Sequence, residues 1–135
     1  MIRFLDLRRI TASFQPQLGE AITRVVDSGF FLRSEQDQIQ IGISGSLKRD
    51  LTASPYIPGK GYPVEAKGVK ELLKTDDWNT MKIRLINQTY TVWLNGQEVL
   101  NYTSDKMPKK GPIGLQLHPN NEMTVAFRSL KIGEI

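Results

Sequence analysis

The stretch that decides the fold is MKIRLINQTYTVWLNGQEVLNY, residues 81–102. Its centre, Asn95 followed by Gly96, is the residue pair that most readily takes positive φ at both corners of a two-residue type I′ turn. Because such a turn sets the register of its strands, we predict an antiparallel hairpin with defined opposed pairs. The pairs are Leu94 with Gln97, Trp93 with Glu98, and Val92 with Val99.

Side chains alternate between the two faces of a strand, so this hairpin has one apolar face and one face of hydroxyls with an indole. The apolar face carries Tyr90, Val92, Leu94 and Val99, and the other face carries Thr89, Thr91 and Trp93. This pattern is typical of an antiparallel sheet with one buried and one solvated face. We therefore expect a functional site on a solvated face.

The composition predicts one folded domain. The chain has 135 residues, of which 39% are hydrophobic and 24% charged, which is enough for one core. Its net charge is +4, but the basic residues are scattered, so we expect no nucleic-acid partner. No apolar run is long enough to span a bilayer, so we expect no membrane partner. The first ten residues also lack the apolar core of a secretion signal.

Two residue types are scarce enough to exclude whole classes of chemistry. The chain has no cysteine, and His118 is its only histidine. Disulfides, thiolate catalysis and a histidine-cluster metal site within one chain are therefore excluded. His118 is the only side chain whose ordinary pKa lies near neutrality, so it is the natural general acid or base if the chain has one.

Residues 1–28 differ in character from the rest of the chain. An apolar stripe at helical spacing predicts one N-terminal α-helix over residues 15–27; the stripe consists of Leu18, Ala21, Ile22, Val25 and Val26. Ahead of this helix, residues 2–10 are compatible with an extended arm or a short helical lead-in.

Three motifs in this segment resemble the start of the DegT/DnrJ/EryC1/StrS sugar aminotransferases. They are FLDL at 4–7, Arg9, and AITRVVDSG at 21–29, and the pattern ends just beyond the segment in Phe31 and Leu32. In that family the pyridoxal phosphate lysine and the phosphate-binding residues lie far downstream of this segment. The resemblance therefore implies no cofactor and no transaminase activity here.

Residues 29–135 have the pattern of a mainly β domain. Strands are predicted at 29–33, 36–43, 113–118 and 122–132, the last with a bend near Arg128 and Ser129. In the second of these strands, Ile39, Ile41 and Ile43 share one face, while Gln38 and Gln40 share the other. Residues 44–63 form a long irregular stretch, the kind of loop that often covers or builds a site. Residues 69–74 fit one helical turn or a short strand.

Six motifs from Ser28 to the end resemble the C-terminal part of the 3-keto-disaccharide hydrolase domain family. They are SGFFLR at 28–33, QIQIG at 38–42, DWN at 77–79, VWLNG at 92–96, GPIGLQLH at 111–118 and FRSLKI at 127–132. The resemblance implies an antiparallel two-sheet sandwich of the concanavalin-like jelly-roll type, with sugar bound on the concave sheet. It also implies a periplasmic or extracellular location.

This sequence departs from that family in two ways, one of which affects the expected fold and the other the expected mechanism. The first strands of the family fold are replaced here by residues 1–28, so we expect an incomplete jelly roll. The missing strands leave open sheet edges. Either the N-terminal helix covers the gap, or the chain associates with another copy of itself, or the fold is poorly stable. Second, Gln38 stands where the family commonly has glutamate, and a neutral amide cannot act as a carboxylate base.

The predicted site consists of polar side chains on the solvated faces. Amides donate and accept hydrogen bonds, and an indole stacks on the C–H groups of a pyranose. Together with the resemblance, this makes the expected partner a carbohydrate. The expected catalytic base is His118, and the expected substrate-binding residues are Arg33, Gln38, Gln40, Trp93 and Gln116.

Three functions remain open at this stage. The first is a carbohydrate-active hydrolase of the 3-keto-disaccharide type, in which the keto group acidifies neighbouring protons and one base starts an elimination. The second is a non-catalytic carbohydrate-binding module that uses the same face. The third is an inactive chimeric or truncated domain. No pair of carboxyl groups suits ordinary glycoside hydrolysis, and no metal site or cofactor is expected.

Overall fold

The computed structural model describes the backbone of residues 3–4 and all of residues 28–75, 77–117 and 125–133. Within these residues the fold is mainly β, with very little helix. The elements are β1 Arg3–Phe4, β2 Ser28–Leu32, β3 Gln38–Ile41, β4 Pro55–Tyr56, α1 Val69–Leu72, β5 Met81–Ile86, β6 Thr89–Leu94, β7 Gln97–Thr103, β8 Ile113–Leu117 and β9 Lys131–Ile132. No helix in this part of the chain is long and apolar enough to cross a membrane.

The strands form two main antiparallel sheets and one small one. The order is β4-β3-β2-β8 in the four-stranded sheet and β5-β6-β7 in the three-stranded sheet. The small sheet pairs β1 with β9. Side chains from both main sheets meet in one apolar cluster that includes Leu32, Ile39, Tyr90, Val92 and Leu94. Two antiparallel sheets that share a core are the arrangement of a sandwich, whereas the jelly-roll connectivity stays a prediction.

The turn at the centre of residues 81–102 has the predicted geometry. Asn95 has φ 49° and Gly96 has φ 87°, so both corners of the turn are left-handed. Leu94 pairs with Gln97 and Trp93 with Glu98, as expected. The apolar face is buried as well, because Tyr90 and Val92 are fully inaccessible and Leu94 is nearly so.

The predicted register is wrong beyond Trp93. Val92 pairs with Leu100 instead of Val99, because a bulge interrupts the ladder between Val92 and Trp93. The bulge puts one additional residue into β7, so the neighbouring side chains of Val99 and Leu100 are both buried. Two adjacent apolar residues in an otherwise alternating strand were the sequence signal for this irregularity.

The same stretch contains a third strand. A second tight turn at Asn87, with φ 55°, connects β5 to β6 and pairs Ile86 with Thr89. The β5 strand alternates between half-buried and exposed side chains. Residues 81–102 are therefore most of a three-stranded sheet rather than a single hairpin.

The ends of the chain differ in part from the expectation. The predicted helix over residues 15–27 lies outside the described residues. Arg3–Phe4 pairs with Lys131–Ile132, so this part of the N-terminal arm is extended. The predicted strand over residues 122–132 is wrong from 125 to 130, where the chain has no regular structure. Phe127 instead packs edge-on against Phe30, with ring centroids 5.7 Å apart, and Ser129 has φ 55° at the expected bend.

One edge of the four-stranded sheet carries exposed apolar side chains. β8 is the last strand of that sheet, and Ile113 and Leu117 are 50% and 47% exposed. Exposed apolar edge strands favour pairing with another chain. The self-association predicted from the sequence stays a prediction, and this edge is where we expect it.

A buried carboxyl group connects the two main sheets. Asp37, which directly precedes β3, is fully inaccessible. It accepts hydrogen bonds from the Ser104 hydroxyl, at 2.9 Å, and from the Tyr90 hydroxyl, at 3.4 Å. Burial is the largest effect and raises the pKa of Asp37 above its ordinary value, although the two hydrogen bonds lower it.

We expect the Asp37→Asn variant to lose part of the pH dependence of stability. The folded carboxyl has the higher pKa, so it holds its proton at pH values where the unfolded chain has released it. The free energy of unfolding therefore falls as the pH rises through the interval between the two pKa values, from about 4 upward. Asparagine does not titrate, so the free energy of unfolding of the variant, measured by urea unfolding over a pH series, should fall less than that of the unmodified chain.

The matched control is Asp50→Asn, since Asp50 is exposed and accepts one backbone hydrogen bond from Thr52. This variant also removes one carboxyl group, so the pH dependence of its free energy of unfolding is the reference for Asp37→Asn. If the free energy of unfolding of Asp37→Asn depends on pH as strongly as that of the unmodified chain, the assignment of this pH dependence to Asp37 is wrong.

The Asn95 side chain connects the hairpin turn to neighbouring segments by hydrogen bonds. Its amide nitrogen donates to the Leu72 carbonyl and to Asn79 Oδ1, at 2.8 and 2.9 Å. Its amide oxygen accepts from the backbone N–H of Thr80 at 2.8 Å. The side chain thus connects the turn to helix α1 and to the segment that leads into β5.

We expect Asn95→Asp to lower the free energy of unfolding by about 1 to 3 kcal/mol, because aspartate keeps the acceptor but loses both donors. Both residues tolerate positive φ, so the turn itself is preserved. Asn87→Asp is the matched control at another left-handed asparagine, and it should change stability little. Equal effects of the two substitutions in urea unfolding would contradict the role given to the Asn95 donors.

Candidate functional site

Three glutamines lie on the outer face of the four-stranded sheet, away from the core. Cross-strand pairing places Gln40 opposite Gly29, Gly29 opposite Gln116, and Gln38 opposite Phe31. Paired residues share a face, and the neighbouring residues Leu32 and Ile39 belong to the core cluster. We call Gln38, Gln40 and Gln116, together with Gly29 between them, the amide face.

Gly29 is required at the middle of the amide face because its neighbours approach closely. A Cβ atom at this position would lie 2.6 Å from the Ile39 carbonyl oxygen and 3.4 Å from Gln116 Oε1. The first distance is shorter than any ordinary contact, and the obstacle is backbone that cannot move aside. Glycine at this position lets the Ile39 backbone and the Gln116 side chain approach β2 this closely.

The members of this face differ in exposure. Gln38 and Gln40 are buried, whereas Gln116 and the aromatic rings of Phe31 and Tyr56 are half-buried. Gln116 Oε1 is itself buried and accepts no hydrogen bond from the described residues. A buried amide oxygen without a donor is costly, and a hydroxyl group of a ligand would satisfy it.

Trp93 lies on a different surface. Its neighbours along β6, Val92 and Leu94, belong to the core cluster, so alternation puts Trp93 on the outer face of the three-stranded sheet. Lys82 Nζ and Arg84 Cζ lie 5.0 and 5.2 Å from its ring centroid. The expectation that Trp93 and the glutamines form one sugar-binding surface is therefore wrong, because their sheets face away from each other.

The Arg33 side chain connects two turns by hydrogen bonds. Its guanidinium donates to the carbonyl oxygens of Asn87, at 2.5 Å, and Pro108, at 3.3 Å. Arg33 also has φ 59° at the end of β2. The structure thus separates Arg33 from the amide face, and a role in substrate binding stays a prediction without a contact that supports it.

His118 lies outside the described residues. It directly follows β8, the strand that carries Gln116. The prediction that His118 is the catalytic base next to the amides therefore stays a prediction. Of the five substrate-binding residues expected from the sequence, the structure brings together Gln38, Gln40 and Gln116.

The chemistry of the amide face is that of hydrogen bonding and stacking. The strands that form it offer amides and aromatic rings but no carboxyl group, since Asp37 turns inward to Tyr90 and Ser104. No group of three histidine, cysteine, aspartate or glutamate residues in the described ranges is arranged to hold a metal ion. This outer face suits a neutral polyhydroxyl ligand better than an ion.

Sequence reasoning missed Tyr56 as a member of this surface. The two-residue strand β4 places Tyr56 opposite Gln38, so its ring lies on the same face as the amides. A two-residue strand is too short for alternation to reveal. The available signal was the aromatic pair Tyr56 and Tyr62 within the long irregular stretch of residues 44–63.

We expect Gly29→Ala to lower the free energy of unfolding by about 1 to 3 kcal/mol, because the added methyl group meets the backbone of Ile39. Gly114→Ala is the matched control in the neighbouring strand. Its Cβ would meet only the Phe31 side chain, at 3.4 Å, and that ring can adjust. Thermal or urea unfolding of the two variants checks this, and equal losses would contradict the close approach at Gly29.

Comparison with known families gives one match. A family described as the 3-keto-alpha-glucoside-1,2-lyase-like domain matches residues 8–133. Neither the curated proteins nor the solved structures contain a significant match. The family match begins well before Ser28 and includes most of residues 1–28. The resemblance of that segment to sugar aminotransferases stays a prediction.

Proposed function

Because this chain belongs to the family of 3-keto-alpha-glucoside-1,2-lyase-like domains, we propose that it acts on 3-keto glycosides bound at the amide face. The observation that carries the proposal is the position of Gln40 and Gln116 on either side of Gly29. Two amides on either side of a glycine offer donors and acceptors that match the hydroxyl and keto oxygens of a sugar ring. The unsatisfied Gln116 Oε1 would accept from one of these hydroxyls.

The proposed reaction is an elimination rather than an ordinary glycoside hydrolysis. In a 3-keto pyranoside the carbonyl acidifies the C2–H bond, and the glycosidic oxygen on C1 is β to that carbonyl. A base removes the C2 proton, the electron pair forms the C1–C2 double bond, and the C1–O bond breaks. The leaving oxygen takes up a proton, so no oxidant or metal enters the balance. Water can add to the product in a later step, which gives net hydrolysis.

The residues of this chain suit such a mechanism because it needs one base instead of two carboxyl groups. His118 is the proposed base, since its ordinary pKa lets it accept a proton near neutral pH. Gln40 and Gln116 would orient the ring. Gln38, a neutral amide next to them, is assigned to binding, because an amide does not accept a proton at these pH values.

The test uses a chromogenic aryl 3-keto-α-glucoside with the full chain. We expect His118→Ala to lower kcat by about a hundredfold or more, the usual size of a general-base contribution. Gln116→Leu should mainly lower kcat/KM, by about tenfold, because one polar partner of the sugar is lost. Gln97→Ala, an exposed glutamine next to the hairpin turn, is the matched control and should retain activity.

Each outcome bears directly on the proposal. Full activity in His118→Ala would remove this histidine as the base. No release of the aryl group by the unmodified chain would remove the lyase function altogether. Saturation-transfer NMR with the same glycoside would then separate the second candidate, a non-catalytic carbohydrate-binding module, from an inactive chain. The absence of carboxyl groups from the described strands of this face favours binding as that second candidate.

A further inference from the structure

The hairpin turn contains the one asparagine of the sequence that a glycine follows, Asn95 with Gly96. In such a pair the backbone nitrogen of the glycine can attack the side-chain carbonyl carbon of the asparagine, because the glycine has no Cβ to shield that nitrogen. The new C–N bond closes a five-membered succinimide ring, and the amide nitrogen leaves as ammonia with the proton that the glycine nitrogen releases. Water then opens the ring at one of its two carbonyls, which leaves aspartate or isoaspartate.

The backbone of the folded turn opposes this ring closure. Asn95 has φ 49° and Gly96 has φ 87°, the left-handed corners of a type I′ turn. The succinimide ring includes the Cα–C bond of Asn95, so its closure fixes ψ far from the value of a left-handed corner. The backbone N–H of Asn95 also donates to the Thr80 carbonyl at 2.8 Å, which holds this corner in place. Ring closure therefore requires the turn to open.

The side chain of Asn95 is held as well. Its oxygen accepts a hydrogen bond from the backbone N–H of Thr80, and its nitrogen donates to the Leu72 carbonyl and to Asn79 Oδ1. These partners lie in α1 and in the segment that leads into β5, so the amide group must leave them to close a ring with Gly96. Asn95 is half-buried and Gly96 is exposed, so water reaches the turn once it opens.

We propose that Asn95 is a deamidation site that the folded turn protects and that local opening of the turn makes reactive. The modification is irreversible. Aspartate keeps the acceptor of the side chain but loses both donors, and isoaspartate also adds one carbon atom to the backbone of a two-residue turn. Either product weakens the connection of the turn to α1. This inference uses no substrate, so it stands apart from the proposed lyase function.

The test follows the full chain by peptide mass spectrometry, once folded and once in guanidinium chloride, at the same mildly alkaline pH and temperature. Trypsin cuts after Arg84 and Lys106, and the peptide between them contains Asn87 and Asn101 as internal references, each followed by a larger residue. We expect Asn95 to react fastest of the three in the unfolded chain. In the folded chain it should react about tenfold to a thousandfold more slowly, the range that three ordinary hydrogen bonds provide.

Two variants separate opening of the turn from opening of the whole sheet. Asn79→Ala removes one acceptor of the Asn95 amide, so it should raise the rate in the folded chain by about threefold to tenfold and leave the unfolded rate unchanged. Asn101→Ala is the matched control, since Asn101 donates to the Thr91 hydroxyl within the same sheet. It should leave both rates within about twofold. The thermal midpoint of each variant shows that the chain is folded at the incubation temperature.

Every outcome supports or overturns the proposal. Equal rates at Asn95 in the folded and the unfolded chain would show that the turn gives no protection, and no reaction in the unfolded chain would remove the site. Equal acceleration by Asn79→Ala and Asn101→Ala would assign the reaction to opening of the whole sheet, against the local opening proposed. The deamidated chain, separated by ion exchange, should have a lower thermal midpoint. An unchanged midpoint would contradict the weakened connection to α1.

Discussion

The buried carboxyl group of Asp37 is the interaction on which the rest of the structure depends. It lies at the start of β3 in one sheet and receives the hydroxyls of Ser104, just after β7, and Tyr90, in β6 of the other sheet. Removing a carboxyl group from water is costly unless hydrogen bonds compensate. The two donors therefore fix how the sheets meet at this end. Burial also raises the pKa of Tyr90, so its hydroxyl keeps the proton that it donates.

This connection has a consequence for the amide face. Asp37 is the residue before Gln38, and strand alternation sends their side chains to opposite sides. When Asp37 is held toward the core, Gln38 and Gln40 must point outward, where Gln116 joins them across Gly29. The orientation of the candidate site thus follows from a polar interaction on the other side of the same strand.

Hydrogen bonds of turns and loops provide most of the remaining connections. Asn95 ties the hairpin turn to α1 and to the entry of β5, and Arg33 joins the turns at Asn87 and Pro108. Gln88 donates to the Met107 carbonyl at 3.0 Å. These contacts surround the core without reaching the amide face. These hydrogen bonds therefore connect the turns at the ends of the strands.

Several features were predictable from the sequence because they depend on neighbours along the chain. The left-handed turn at Asn95 and Gly96, the burial of Tyr90, Val92 and Leu94, and the shared face of Gln38 and Gln40 all follow from local conformation and alternation. Membership of the family was visible in the order of the motifs. The bulge opposite Val92 had a weaker sequence signal, the two adjacent apolar residues Val99 and Leu100.

Other features were decided by the tertiary structure, because alternation assigns a side chain to a face but does not say which faces meet. Packing of the two sheets through their apolar faces put Trp93 and the amides on separate surfaces. Pairing of the short strand β4 brought Tyr56 beside Gln38, and the contact with Tyr90 and Ser104 buried Asp37. Each of these depends on segments that are distant in sequence. Local pattern therefore determined the strands and their sides, and the packing between sheets decided which side chains share a site.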